Sequence, residues 1–539
     1  METANPPTSA PGSSRVPEDS LLAPRALFWA AFATSVALRA VYLLDPSRVD
    51  LATFPMFLSD EGASGLMARH ILQGTERPVF YYGGYYHGAL DAYIAALSFR
   101  LFGESLFSLR LVPSLFSIAC IPLAFFLGRR IGGTRAGLLA GALAALPSNY
   151  VFEWGTLALC SYCGYVAYVL LCGLLTAKAL ERGSPARLGV LGLVSGLATW
   201  SNQLQLAYLA VSGAALHFWG SLDRKKKGLL LAAFLVGVSP LLYGNVIHPL
   251  ATVRQLGRKA YFSLTLAKRY AAEDESERSY RSYPLLQVLG AQPTRDGKFS
   301  LPGSLGAVVL SMGFLGTGVS LWRRRRRSGF PRAELLVFGL AFAALFLGLP
   351  GWTLQPIGRY QLPLYPLLAI LTACWLVRSA PRLAIPVTLF VLLVRAGTLA
   401  FPPPHPQRTP IEKVIAVLLR HDLHEGYSAG QMYHVSFRSG EAIALVDLGH
   451  SRYAAYEERV ENAGRIFYLF REDQVTKPAH QVFLSKLAAR EVRYRVLRLG
   501  EYHILHDFEP RSAIDRTFLA EVRAEFRRRK RSAAASDAA

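Results

Sequence analysis

Charged residues are scarce in this sequence. Asp, Glu, Lys and Arg make up 18% of the 539 residues, whereas hydrophobic residues make up 52%. A soluble protein carries about 25% charged residues, and the mean hydropathy here is +0.26. Several uninterrupted apolar runs approach the roughly 20 residues that a helix needs to cross a bilayer. The composition therefore argues against an ordinary soluble protein and indicates a polytopic α-helical membrane protein.

Cysteine is also scarce, with five residues in the whole chain. All of them, Cys120, Cys160, Cys163, Cys172 and Cys374, lie inside apolar segments. The pair Cys160-x-x-Cys163 matches the spacing of a redox or metal motif, but the sequence has no cluster of further His or Cys ligands. Packed small hydrophobic side chains are therefore the favoured interpretation.

The sequence contains no P-loop and no glycine-rich dinucleotide motif. This argues against a nucleotide-driven pump and against a cytosolic site for sugar nucleotides. The formal net charge of +22 would by itself fit a protein that binds nucleic acid. Most basic residues, however, lie in short clusters between apolar runs, where they orient membrane helices. Nucleic acid is therefore not an expected partner.

The apolar runs predict about eleven membrane crossings. They cover residues 26–44, 109–127, 136–151, 160–180, 188–200, 204–219, 228–246, 305–322, 335–349, 364–377 and 383–399. The fifth and sixth runs together are too long for one upright crossing. The polar sequence Ser201-Asn202-Gln203 between them predicts a hairpin that joins two short crossings.

Basic residues in short loops predict the orientation. Clusters at 129–135, 178–187, 224–227, 323–327 and 378–382 all fall on one face, which the positive-inside rule makes cytoplasmic. Between residues 45 and 104, the first loop on the other face holds seven acidic and four basic residues. An odd number of crossings places the N-terminus inside and the C-terminal part outside. The expected location is a bacterial inner membrane.

Composition also predicts the domain boundaries. Residues 1–20 are rich in Pro and Ser and are expected to be disordered. Residues 21–400 form the transmembrane domain, with large outer loops at 45–108 and 248–301. Residues 513–539 form a basic tail, for which a solvated helix end or contact with anionic lipid are the two interpretations.

Residues 401–512 have a different composition. Short alternating runs at 433–437, 442–446, 466–470 and 492–497 predict β-strands, and helical stretches near 451–461 and 479–490 separate some of them. This pattern is typical of a small soluble α/β domain.

The first outer loop contains the sequence Ser59-Asp60-Glu61-Gly62. Asp60 is expected to cap a helix from residue 61 to about 73, which Gly74 ends. A second amphipathic stretch covers residues 89–102. Both stretches are too short and too polar to cross a membrane, and both fit helices that lie in the interface.

Ten residues between these helices, 79–88, include Tyr86 and His87 and are rich in aromatic side chains. An aromatic belt at the membrane surface is one interpretation. Tyrosines around a single histidine, close to carboxylates, also fit a surface on which a sugar stacks. Composition alone leaves both open, with the aromatic belt ahead.

Two arginines in apolar surroundings are ambiguous. Arg39 lies within the first apolar run, and Arg110 lies at the start of the second. An intramembrane charge indicates a functional site by default. Both positions are also close enough to the outer surface for the side chain to extend towards the headgroups.

Taken together, several motifs in and just after the first outer loop, with one more before a late helix, resemble the polyprenyl-phosphate-dependent GT-C glycosyltransferases, among them the protein O-mannosyltransferases and the bacterial aminoarabinose transferase of lipid A. The motifs are Ser59-Asp60-Glu61, the aromatic stretch ending at His87-Gly88, Leu101-Phe102-Gly103-Glu104-Ser105, Ser108-Leu109-Arg110-Leu111 and Gly358-Arg359-Tyr360-Gln361-Leu362-Pro363. The resemblance covers residues 26–399. It implies a membrane enzyme that takes a sugar from a lipid-phosphate donor.

The resemblance also implies roles for individual residues. Asp60 matches the proposed catalytic base, and Glu61 matches the second acid that supports it. His87 and the neighbouring Tyr86, with Asp91, would contact substrate. Arg359, in the Arg-Tyr pair with Tyr360, would contact the donor phosphate. Glu153 is the candidate for a second acidic site of the family, on a loose match.

The chemistry fits these residue types independently. An acceptor hydroxyl must lose its proton as it attacks, and a carboxylate can take that proton. A leaving phosphate must be stabilised, which an arginine does with two hydrogen bonds. A divalent metal is therefore not required, and no cofactor is expected beyond the lipid-phosphate donor itself. The sequence does not identify the sugar, nor whether the acceptor is an envelope glycan, a lipid or a protein.

Two other functions remain open from the sequence. A transporter or flippase of lipid-linked sugars would show internal repeats and broken helices with charges at mid-membrane, and no convincing repeat occurs. A polymerase or ligase of surface polysaccharide would place key Arg and His residues in a large later outer loop. The loop at 248–301 keeps that alternative open.

Overall fold

The computed structural model describes residues 21–45, 55–257, 284–291, 301–324, 331–347, 358–400, 409–449 and 451–536. The predicted disordered segment 1–20 and most of the predicted outer loop 248–301 lie outside the described residues. The described part is mostly helical, with one mixed β-sheet near its C-terminal end.

The helices of residues 21–400 carry the labels α1 to α14 in chain order. They are α1 (Leu22–Leu44), α2 (Pro55–Gln73), α3 (Leu90–Phe102), α4 (Leu106–Ala145), α5 (Asn149–Trp154), α6 (Tyr165–Glu181), α7 (Pro185–Ser201), α8 (Gln205–Trp219), α9 (Arg224–Ile247), α10 (Pro284–Leu289), α11 (Leu301–Arg324), α12 (Arg332–Phe346), α13 (Leu364–Ser379) and α14 (Ala384–Ala400).

Four described helices are long and apolar enough to cross a membrane. Their spans are Leu22–Leu44, Leu106–Ala145, Arg224–Ile247 and Gly303–Arg324. The shorter α13 and α14 are also apolar. The protein is therefore a polytopic membrane protein.

Helix α4 contains a break at Gly133, where φ is 81° and ψ is −178°. A residue with a Cβ rarely adopts this φ, so glycine permits the chain to turn back. Gly128 before the break then packs against Ala140 after it. The predicted third crossing at 136–151 is shorter in the structure, because α4 ends at Ala145 and a separate short helix, α5, follows.

Helix α13 lies at the centre of the membrane part. Every residue from Leu364 to Cys374 is buried, and α13 packs closely against α4 and α11. A helix that is apolar all round is stable only where neighbours cover it on every side. Small residues allow that packing: a Cβ on Gly313 would lie 2.1 Å from the Thr372 hydroxyl oxygen.

Residues 409–536 form the C-terminal unit. Its elements are α15 (Ile411–Arg420), β1 (Glu425–Ser428), α16 (Tyr433–Arg438), β2 (Ala444–Asp447), α17 (Ala454–Glu461), β3 (Phe467–Arg471), α18 (Pro478–Ala489), β4 (Arg493–Leu499), β5 (Tyr502–Glu509) and α19 (Arg516–Ser536). The strand order is β2-β1-β3-β5-β4. Strands β1, β2 and β3 are parallel, and β5 pairs antiparallel with β3 and β4.

The predicted strand at 433–437 is wrong, since these residues form helix α16. All five of their side chains are buried, because α16 packs between the sheet and helix α2 of the membrane part. A short alternating run does not distinguish a strand from a helix turn that is covered on both sides.

Side chains of α2 also hold the C-terminal unit in place. Arg69 Nη1 lies 3.2 Å from Glu441 Oε2, and His70 Nε2 lies 3.0 Å from Glu441 Oε1. The Tyr456 hydroxyl donates to Glu441 Oε1 at 2.8 Å. The C-terminal unit is therefore docked on the helix that carries the Asp-Glu motif.

Candidate active site

The Asp-Glu motif lies inside helix α2. This helix begins at Pro55, so Asp60 is not the N-cap that the sequence predicts. The error concerns only the start of the helix. Its end agrees with the prediction, because the helix stops at Gln73 and Gly74 has a φ of 73°.

Two members of the motif make contact with helix α16 of the C-terminal unit. The Tyr433 backbone N–H donates to the Ser59 hydroxyl at 3.1 Å. A Cβ on Gly62 would lie 2.3 Å from the His434 backbone nitrogen, so only glycine permits this close approach. Ser59 and Gly62 thus hold the motif against the C-terminal unit.

Glu61 forms a buried ion pair with Arg110, at the start of α4. Arg110 Nε and Nη2 donate to the two carboxylate oxygens of Glu61 at 2.9 Å and 2.7 Å. The Glu61 and Arg110 side chains are 2% and 0% exposed. The Ala158 backbone N–H also donates to Glu61 Oε1 at 3.3 Å. Arg110 therefore does not extend towards the headgroups, and Glu61 is held rigidly by three donors.

Whereas Glu61 faces α4, the Asp60 side chain faces the C-terminal unit. Its Oδ1 lies 2.7 Å from Nη2 of Arg452, and the two side chains are 19% and 16% exposed. The Tyr81 hydroxyl donates to the Asp60 backbone carbonyl at 2.6 Å. Asp60 is therefore more accessible than Glu61, which fits a proton acceptor better than a purely structural residue. No sequence signal identifies Arg452, which is 392 positions away.

Residues 155–164, including a 3-10 turn at Cys160–Tyr162, form a turn that joins the predicted site residues. Ser161 Oγ lies 2.7 Å from His87 Nδ1, and the Tyr162 ring lies against the His87 ring. The same turn provides the Ala158 N–H to Glu61. We call residues 155–164 the site turn. Sequence reasoning missed it, because it interprets Cys160-x-x-Cys163 as packed small side chains and residue 160 as the start of the fourth crossing, whereas the helix begins at Tyr165.

Arg359 lies in the 3-10 helix Gly358–Gln361 and contacts the site turn through Tyr162. Its guanidinium carbon lies 5.7 Å from the centre of the Tyr162 ring and 5.3 Å from that of Tyr360. An electrostatic interaction links it to Tyr86, whose ring centre lies 3.9 Å from that of His87. Within the described residues Arg359 has no carboxylate partner, and its Nε makes no hydrogen bond.

Asp91 is buried and holds the end of the site turn. It accepts hydrogen bonds from the Gly164 N–H at 3.4 Å and the Ser201 hydroxyl at 3.2 Å. Burial raises the pKa of its carboxyl to about 6, although these hydrogen bonds act in the opposite direction. Asp91 is therefore placed to orient the turn.

Glu153 stands apart from the other predicted residues. It lies in α5, and burial raises the pKa of its carboxyl to about 8. Over the residues that the structure describes, no side-chain hydrogen bond or ion pair connects Glu153 with Asp60, Glu61 or Arg359. The structure brings Glu61, His87, Asp91 and Arg359 together around the site turn, with Tyr86 and Tyr360 beside them, whereas the Asp60 carboxylate faces Arg452.

A small cavity lies beside the site turn. Three of its lining residues contact arginines, of which Arg39 and Arg395 are buried and Arg359 is partly buried. Ser117 accepts from Arg39 at 2.6 Å, the Tyr162 ring lies under Arg359, and the Tyr365 hydroxyl interacts with Arg395.

None of these three arginines pairs with a carboxylate in the described part of the chain. Arg39 is 2% exposed, and it donates to the Ser35 and Ser117 hydroxyls with its guanidinium over the Phe152 ring. Extension of Arg39 towards the headgroups is therefore wrong. Charges inside a protein are costly unless they are paired, so three arginines that lack a carboxylate partner among the described residues favour an anionic ligand beside this cavity.

A metal site is not indicated by the described ranges, which hold no group of three or more His, Cys, Asp or Glu side chains able to bind one ion. The four cysteines whose side chains are described are buried and form no disulfide bond with one another. The absence of a metal requirement stays a prediction.

Comparison with known proteins agrees with the resemblance read from the sequence. The family model described as dolichyl-phosphate-mannose-protein mannosyltransferase matches residues 87–243. This region includes His87, Asp91, Arg110 and the site turn. A search of curated proteins finds no significant match.

Solved structures share the fold over most of the chain. ArnT from Cupriavidus metallidurans in the apo state has a TM-score of 0.59 and 15% identity, covering 88% of this chain and 98% of that chain. The same protein bound to undecaprenyl phosphate has a TM-score of 0.56 and 14% identity, covering 83% and 93%.

A third structure is the oligosaccharyltransferase AglB from Archaeoglobus fulgidus, in complex with an inhibitory peptide and a dolichol-phosphate. It has a TM-score of 0.55 and 13% identity, covering 90% of this chain and 74% of that chain. The family match over residues 87–243 agrees with the resemblance that the sequence predicts, and these structures show that the chain shares their fold.

Proposed function

We propose that this protein is an inverting membrane glycosyltransferase that moves a sugar from a polyprenyl-phosphate donor to an acceptor on the extracytoplasmic face. The observation that carries the proposal is the site turn: its Ala158 N–H donates to Glu61, the neighbour of Asp60, and its Tyr162 ring lies against the guanidinium of Arg359, which has no carboxylate partner among the described residues. This link supports a site in which Asp60 supplies the proton acceptor and Arg359 the phosphate-binding cation.

In the proposed reaction, Asp60 accepts the proton of the acceptor hydroxyl as its oxygen attacks the anomeric carbon of the sugar. The bond between that carbon and the phosphate oxygen breaks, and the electron pair leaves with the phosphate. Attack from the side opposite the leaving group inverts the anomeric configuration. Glu61 cannot easily replace Asp60, because Arg110 and Ala158 already occupy both of its oxygens.

Arg359 is the proposed contact for the donor phosphate, with Tyr360, Tyr86 and His87 beside it. An unpaired guanidinium can donate two parallel hydrogen bonds to phosphate. The cavity beside the site turn supports the same assignment, since Arg39 and Arg395 add positive charge behind its lining. Asp91 is proposed to keep the turn in place, and Glu153 remains a candidate for a second acidic site.

If Arg359 binds phosphate, Arg359→Lys should weaken donor use although the charge is retained. Lysine is a point charge and lacks the two-armed geometry of the guanidinium. We expect the KM for the lipid-phosphate donor to rise by about tenfold, corresponding to about 1.4 kcal/mol. Arg465→Lys is a matched control, because Arg465 donates twice to Asp507 on the C-terminal unit. Unchanged donor use in Arg359→Lys would remove Arg359 from the site.

We also propose eleven crossings, with the N-terminus in the cytoplasm and the C-terminal unit outside. Helices α7 and α8 as separate elements, and the break in α4, support this count. Helix α2 is in direct contact with the C-terminal unit, so both lie on the same face of the membrane. The proposed location is a bacterial inner membrane.

Labelling of single cysteines tests this orientation. Arg495→Cys lies on β4, where the arginine side chain is 80% exposed, and Lys225→Cys lies on the predicted cytoplasmic side. In intact cells a membrane-impermeant maleimide should label the cysteine at 495 and not the one at 225. The reverse pattern would place Asp60 on the cytoplasmic face and contradict the proposed site. The native protein controls for background from its own cysteines.

The enzymatic proposal is tested with the purified full-length protein in lipid vesicles. The probe is the pool of polyprenyl-phosphate sugars from a strain that lacks the protein, with envelope material of that strain as the acceptor source. Release of polyprenyl phosphate with transfer of the sugar supports a transferase. Movement of intact lipid-linked sugar across the bilayer without release would instead support a flippase.

A further inference from the structure

Arg452 is the contact between Asp60 and the C-terminal unit. It lies in the segment between β2 and α17, and its guanidinium is 2.7 Å from Asp60 Oδ1. The same nitrogen donates to the Gln431 side-chain carbonyl. The Arg452 backbone N–H donates to the Tyr433 hydroxyl at 2.6 Å. Two hydrogen bonds within the C-terminal unit, one from the backbone and one from the side chain, therefore fix the position of Arg452 beside Asp60.

Rings and a glycine from both parts of the chain surround this guanidinium. Its carbon lies 5.9 Å from the centre of the Tyr81 ring and 6.0 Å from that of Tyr433, a range in which aromatic faces attract cations. A Cβ on Gly83 would lie 2.5 Å from Cγ of Arg452. The aromatic residues 79–88 of the membrane part therefore pack directly against the Arg452 side chain of the C-terminal unit.

Docking alone does not explain this arrangement. Ser59 with Tyr433, Gly62 with His434, and Arg69 with Glu441 already join α2 to the C-terminal unit. Arg452 adds a contact to the one residue of α2 that is both acidic and accessible. Its consequence for Asp60 is geometric: because the guanidinium holds Oδ1, the carboxylate cannot rotate freely.

We propose that Arg452 is a positioning residue of the active site, and that the C-terminal unit completes this site by supplying it. The inference rests on the proposed function, in which Asp60 is the base. The acceptor proton goes to the Asp60 carboxylate, while Arg452, itself held by Gln431, keeps that carboxylate in one orientation. A catalytic group that is held in the reactive geometry avoids the loss that follows from a small misplacement.

The test compares Arg452→Ala, Arg452→Lys and the control Arg465→Ala in the full-length protein in vesicles. The probe is the same pool of polyprenyl-phosphate sugars with envelope acceptor. We expect Arg452→Ala to lower kcat by about 10²-fold with little change in the donor KM. Arg452→Lys should be intermediate, since the ammonium retains charge without the fork. Arg465→Ala should transfer sugar normally.

Added guanidinium ion separates positioning from folding. It should restore part of the activity of Arg452→Ala by filling the vacated position, and it should not help Asp60→Asn. In an Asp60→Asn background, Arg452→Ala should cause no further loss, because the two residues act as one unit. Thermal unfolding of Arg452→Ala should stay close to that of the control variant.

Two results would overturn the inference. One is full activity of Arg452→Ala while Asp60→Asn is inactive, which leaves the proposed function intact. The other is a loss that guanidinium does not restore and that accompanies a comparable fall in thermal stability, which would make Arg452 a purely structural contact. An active Asp60→Asn variant would instead contradict the proposed function itself.

Discussion

Asp60→Asn should abolish transfer while the protein stays folded and inserted. The amide is nearly isosteric with the carboxylate, and its oxygen can still accept the hydrogen bond from Arg452. Asp60 lies inside α2, where Asn and Asp have similar helix propensities. Only the capacity to accept a proton is lost, so we expect transfer to fall by roughly 10²–10⁴-fold.

Asp473→Asn is the control for this experiment, since Asp473 forms an ion pair with Arg471 on the exposed surface of the C-terminal unit. Glu61→Gln should lower activity less than Asp60→Asn, because Glu61 supports the site without taking the proton. Near-normal transfer by Asp60→Asn would show that the base lies elsewhere, with Glu61, Asp91 and Glu153 as the remaining carboxylates.

Arg110→Met should cause the largest loss of stability among the site variants. It leaves the Glu61 carboxylate buried with only the weak hydrogen bond from Ala158. Removal of one partner of a buried ion pair costs about 3–5 kcal/mol, because the other charge stays uncompensated. Unfolding of the purified protein in detergent, followed by loss of helical signal, measures the effect.

A second substitution and a surface pair give this prediction its controls. Arg110→Met combined with Glu61→Leu should recover much of the stability, since both charges are then absent. Arg130→Met breaks the exposed pair with Glu181 and should cost about 0–1 kcal/mol. Equal, small effects of Arg110→Met and Arg130→Met would show that the Glu61–Arg110 pair does not support the site.

Local patterns in the sequence predict the helices of the membrane part well. Long apolar runs indicate α1 and α9 because a lipid-facing helix must be apolar over its whole length. The end of α2 at Gly74 is equally local, since a glycine with positive φ ends a helix. The start of α2 was missed because Asp60 resembles a cap, whereas Pro55 is the residue that fits the first helical turn.

The arrangement of the site could not be predicted from local patterns. Asp60 and Arg452, or Ser59 and Tyr433, meet only because the C-terminal unit folds back onto α2. Arg110 was ambiguous for the same reason: its partner Glu61 lies 49 positions earlier. The site turn consists of ordinary residues whose backbone N–H groups and rings gain their role from the three-dimensional position alone.

The central claim is that the protein transfers sugar from a polyprenyl-phosphate carrier with Asp60 as the base. Its most direct test is mass spectrometry of lipid-linked sugars and envelope glycans from a strain that lacks the protein, complemented with the native protein or with Asp60→Asn. The account predicts that the strain without the protein, and the strain with Asp60→Asn, accumulate one polyprenyl-phosphate sugar and lose that sugar from an envelope component. Identical profiles in all three strains, or full restoration by Asp60→Asn, would contradict it.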